Sequence, residues 1–110
     1  DETLSKVELE PFRIKPYLLD PDWPVIRRLN AIANEVTGMD KAPYTLGGGT
    51  YAHVLPNALV YGMSGCLPPE DFAPGYGSAH GKDESVSLDR LQRGMRIYAR
   101  SMLALNEMDW

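Results

Sequence analysis

The sequence predicts an α/β (or α+β) fold, short strands packed beside two main amphipathic helices, and three observations carry that expectation. Apolar residues recur at three- and four-residue steps over residues 25–36 and again over 88–105. They alternate near the start of the chain, and short apolar runs at 44–46 and 58–61 each end in glycine. At 110 residues the chain can bury one core and not two.

The first element spans residues 7–19, where Val7, Leu9, Phe12 and Ile14 alternate with charged neighbours as in a half-buried strand. Pro11 confines it to an edge, a bulge or two shorter strands. The cluster Asp20, Pro21, Asp22 and Pro24 closes it and starts a helix, because aspartate accepts from free amides and proline fits the first helical turn. The same cluster could hinge two domains. Val25, Ile26, Leu29, Ile32, Ala33 and Val36 then form an apolar face, and Gly38 supplies the stop. Ser87 is placed to cap a long terminal helix whose stripe is Leu88, Leu91, Met95, Tyr98, Met102 and Leu105. For both helices the expected role of the stripe is core packing.

Composition narrows the function. Eleven basic residues against 15 acidic ones give a net charge of -4, which lacks the basic stripe of a nucleic-acid binder. The apolar runs fall far short of the ~20 residues of a membrane span. The opening residues have neither the basic nor the apolar region of a signal peptide. A single cysteine, Cys66, cannot form an intrachain disulfide and suits a reducing, cytoplasmic setting, where it reads as an incidental thiol.

Chemistry is expected between residues 43 and 87, where most glycines lie and where residues 63–79 are too long and too rich in glycine and proline for a simple turn. Gly47, Gly48 and Gly49 match neither a dinucleotide fingerprint nor a phosphate loop, since no lysine follows. They are either a tight turn or a loop whose amides, with the Thr50 hydroxyl, contact an anionic group. His80, Asp83 and Glu84 crowd one loop, and imidazole with carboxylate suits zinc. For Glu84 a favourable position near a helix N-terminus is the preferred role. His53 is the other histidine, and no Ser-His-Asp pattern accompanies either.

Taken in order, residues 44–52 (Tyr-Thr-Leu-Gly-Gly-Gly-Thr-Tyr-Ala), Leu55-Pro56-Asn57, residues 58–62, Ala79-His80 and Asp83-Glu84 before a helix resemble the C-terminal end of an M20 family metallopeptidase. The closest likeness is to bacterial dipeptidases of the PepV type. A helix ending in Glu35-Val36-Thr37-Gly38 extends the likeness, so that it covers most of residues 20–108. The resemblance implies a catalytic domain interrupted by an inserted lid and holding a co-catalytic zinc pair. Residues 1–20 would end the lid and residues 21–110 would finish the catalytic domain.

The resemblance further implies that His80 ligates one zinc, while the remaining ligands and the general-base glutamate lie outside this segment, which would be inactive alone. Gly48, Gly49, Thr50, His53 and Asn57 would bind substrate. His53 stands where the family commonly has arginine, which exchanges a fixed bidentate cation for a partly charged ring and leaves the substrate class open. The implied partners are a small peptide substrate and the remainder of the same polypeptide. Exposed strand edges also predict a homodimer. Two other readings stay open: a deacylase of N-acyl amino acids with the same metals, and a non-catalytic small-molecule binding module.

Overall fold

The computed structural model describes residues 15–63, 67 and 70–109. Residues 7–14 of the expected first strand lie outside that set, as does Cys66, and residues 15–20 have no regular structure.

Helix α1 runs Pro24–Thr37. It begins at a turn in which the Asp20 side chain accepts from the Asp22 amide at 2.9 Å and the Trp23 amide donates to the Asp20 carbonyl. Trp23 occupies the cap position without a side-chain cap bond, and Pro24, which has no amide proton to satisfy, takes the first helical position. Gly38 ends the helix at φ 70°, a left-handed conformation that glycine adopts without a Cβ penalty. Beyond it the chain is tied back: Asn30 and Asn34 both donate to the Lys41 carbonyl, and the Asn34 side chain accepts from the Lys41 amide.

Helix α2 runs Leu88–Asn106. Ser87 caps it, its hydroxyl accepting from the Arg90 amide at 3.1 Å. Glu70 secures this end twice, accepting from the Ser87 amide at 3.0 Å and pairing with Arg90 at 3.7 Å.

The two helices pack on each other and make the core. Val25, Leu29, Ile32 and Ala33 of α1 are buried with Gly94, Ile97, Ser101 and Ala104 of α2. Met63 packs into the space that a side chain at position 94 would occupy, so Gly94 makes room for Met63. Tyr61 bridges the pair: its hydroxyl donates to the Leu29 carbonyl and accepts from the Ser101 hydroxyl, both at 3.0 Å. An Arg100–Glu35 ion pair joins the helices at the surface.

Two expectations are corrected here. Among the described residues there are two α-helices, short 3-10 segments and no strand, so the architecture is all-helical and not α/β or α+β. A strand exists only as part of a ladder, and the apolar runs at 44–46 and 58–61 have no described segment paired beside them. The second correction concerns α2. Of its stripe, Leu88, Leu91, Met95, Tyr98 and Met102 are exposed and Leu105 is half-buried, and the buried face of the helix is the adjacent one, Gly94, Ile97, Ser101 and Ala104.

Candidate functional site

After the glycine triplet the chain makes a 3-10 turn, Tyr51–His53, which folds the His53 ring back onto its own start. The Thr50 amide donates to His53 Nδ1 at 3.2 Å, and the His53 amide donates to the Thr50 carbonyl at 3.1 Å. The Thr50 hydroxyl makes no side-chain cap bond, and its oxygen is buried with no hydrogen-bond partner among the described residues.

The other edge of the His53 ring meets Tyr17, with centroids 5.1 Å apart and planes at 90°. His53 and Asn57 line an open depression of about 240 Å³ with Tyr17, Leu19, Leu55 and Ala58. Asn57 sits at φ 55°, a conformation asparagine tolerates better than most residues. The walls are mainly apolar with two side chains able to hydrogen-bond, which suits a small organic ligand bearing a polar end.

Of the residues expected to bind substrate, the structure thus brings His53 and Asn57 to one depression and hangs Thr50 on the His53 ring. Gly48 does not line it. A Cβ added at Gly47 or Gly48 would meet nothing within 4 Å, and neither has a positive φ, so the local fold does not require glycine at these two positions. Tyr17 and Leu19 were legible only as part of an edge strand, because a contact between positions 17 and 53 leaves no periodic trace in the sequence.

His80 stands elsewhere, exposed at the tip of a turn with φ 62°. The turn is held by the Gly81 amide donating to the Ser78 carbonyl and by the His80 amide donating to a Glu84 carboxylate oxygen at 3.2 Å. Glu84 therefore braces the His80 turn and does not serve the N-terminus of α2, which begins four residues later. The Asp83 carbonyl accepts from the Gly77 amide at 3.0 Å, closing the loop at its base. Among the described residues no three metal-ligating side chains gather. A stable zinc site takes three or four protein ligands, so these residues do not by themselves fit the ion; they offer one imidazole toward it.

The family model for peptidase family M20/M25/M40 matches residues 3–104. The chain is 31% identical over 105 residues to a Bacillus subtilis (strain 168) protein named "Putative dipeptidase YtjP", a match that covers 94% of this chain and 21% of that protein. It is 34% identical over 92 residues to a "Putative dipeptidase" of Staphylococcus epidermidis, covering 83% of this chain and 18% of the relative. The chain thus spans about a fifth of the length of the curated relatives it matches. No solved structure matches significantly.

Proposed function

The chain belongs to peptidase family M20/M25/M40, and on that premise we propose that it is a segment of a zinc-dependent dipeptidase that hydrolyses the amide bond of dipeptides or short peptides. The family is generally metal-dependent. In this reading residues 21–110 finish the catalytic domain, residues 1–20 belong to its inserted lid, and the segment alone is inactive. His80 supplies one imidazole to a zinc site whose other ligands come from outside these residues. Its exposure at a braced turn supports that role, since the ring is accessible while its main chain is held. A cytoplasmic location agrees with a single cysteine. Among the described residues no helix is long and apolar enough to cross a membrane.

The observation that carries substrate binding is the pairing of His53 with Asn57 in one depression. The His53 ring, held by the Thr50 amide, and the Asn57 side chain line one apolar depression, while the Thr50 hydroxyl is buried and does not line it. That pair can hydrogen-bond the polar end of a small peptide while Tyr17, Leu19 and Leu55 meet its apolar part. The exposed Gly48 and Gly49 leave room for the ligand's main chain to lie close to the loop.

The test is hydrolysis of a panel of dipeptides and N-acyl amino acids by the polypeptide that carries this segment, with and without added zinc. Zinc-dependent cleavage of dipeptides supports the proposal. Cleavage of acyl amino acids alone would make the protein a deacylase, and cleavage of neither would leave a binding module.

A further inference from the structure

The depression around His53 is walled by two distant pieces of chain. The stretch 52–58 supplies one side, and Tyr17 and Leu19 supply the other. Leu18, between them, does not line it and stands 79% exposed, so this short segment turns alternate side chains toward the depression.

Tyr17 has a second contact there. Its ring meets the His53 ring edge-on, with centroids 5.1 Å apart, while the Thr50 amide donates to His53 Nδ1 at 3.2 Å. The imidazole is thus held on two sides, by an aromatic ring and by a hydrogen bond. Removing the Tyr17 ring would open the wall and release one side of the imidazole together.

The space also limits what fits it. It holds about 240 Å³, below the ~300–1,000 Å³ of pockets that enclose a drug-sized molecule, which suits one end of a small peptide. Tyr17, Leu19, Leu55 and two alanines make most of the wall, and no aspartate, glutamate, lysine or arginine lines it among the described residues. An acidic or basic side chain placed there would give up water without gaining an opposite charge. An apolar side chain would gain contact area, and His53 and Asn57 remain for main-chain polar groups.

We propose that Tyr17 is a specificity-determining residue: with Leu19 and Leu55 it makes the depression a subsite for an uncharged, apolar side chain of the peptide, and it holds the His53 ring in place beside that side chain. This rests on reading the depression as the substrate site of the dipeptidase.

The test uses the polypeptide that carries this segment as wild type, Tyr17→Phe and Tyr17→Ala. The probes are dipeptides of alanine with leucine, alanine, glutamate or lysine at either end, and their ketomethylene analogues, in which a carbon replaces the amide nitrogen and hydrolysis is blocked. By calorimetry the wild type is expected to bind the leucine analogue of one series about tenfold or more tighter than its glutamate and lysine counterparts. Tyr17→Ala should lose about tenfold in affinity for the leucine analogue and little for the alanine one, whereas Tyr17→Phe, which keeps the ring, should stay within about twofold of the wild type. Equal wild-type affinity for leucine, glutamate and lysine analogues would overturn the proposal. So would a leucine preference that survives Tyr17→Ala, or an equal loss for every analogue, which would make Tyr17 merely structural. Hydrolysis of the dipeptides on the same samples separates the two claims. Tyr17-dependent selectivity in binding without hydrolysis defeats the proposed activity alone, and hydrolysis whose selectivity ignores Tyr17 defeats the subsite alone.

Discussion

The hydroxyl of Tyr61 donates to the main-chain carbonyl of Leu29 at 3.0 Å, tying a residue of the loop region to the middle of α1. The same oxygen accepts from Ser101 on α2, so one side chain is bonded to both helices.

Tyr61→Phe removes both bonds and leaves the buried Ser101 hydroxyl without that partner. A loss of about 1–2 kcal/mol is expected. In urea titration the midpoint should fall while the slope stays the same, as it does when stability changes without a change in the surface exposed.

Ile97 is completely buried between the helices, whereas Met95 two residues earlier is exposed. Ile97→Ala should cost about 2–5 kcal/mol through lost burial and the cavity left behind. Met95→Ala in the 110-residue chain should stay within about 0.5 kcal/mol, as surface substitutions do. Thermal or urea unfolding of the two variants side by side checks which face of α2 is the packed one.

Ser87→Ala removes the hydroxyl that accepts from the Arg90 amide at the start of α2 and should cost about 1 kcal/mol. Arg100→Ala, which breaks a half-exposed ion pair with Glu35, should cost less than about 1 kcal/mol and lose even that at high salt. Unfolding midpoints at low and high ionic strength distinguish the two.

Both helices were legible in the sequence because their punctuation is local: Pro24 and Gly38 bound one, and Ser87 opens the other. The buried face of α2 was not, since it includes Gly94, which makes room for Met63, and Ser101, which bonds Tyr61, and neither carries a hydrophobic signal. The more apolar stripe beside it reads as core and faces outward. Strands at 44–46 and 58–61 were expected from residue type, yet a strand depends on a neighbour, and the described residues provide none. At the candidate site the sequence singled out His53, Asn57 and Thr50, which the fold groups, but not Tyr17, whose contact with His53 is set by tertiary packing.

For substrate binding, His53→Ala in the polypeptide that carries this segment should raise KM for a dipeptide by about tenfold while kcat changes little, because the ring lines the depression and is given no part in the reaction. Steady-state kinetics on the wild type and the variant would show it. A fall in kcat at unchanged KM would place His53 in the chemistry.

The most direct test of the central claim is the zinc content of that polypeptide, measured with its dipeptide hydrolysis, for the wild type and for His80→Ala. His80 is exposed and its side chain carries none of the bonds that hold its turn, so the variant should fold as the wild type does by circular dichroism. The account predicts that it binds less zinc and loses dipeptide cleavage. Full zinc content and undiminished cleavage in the variant would contradict it.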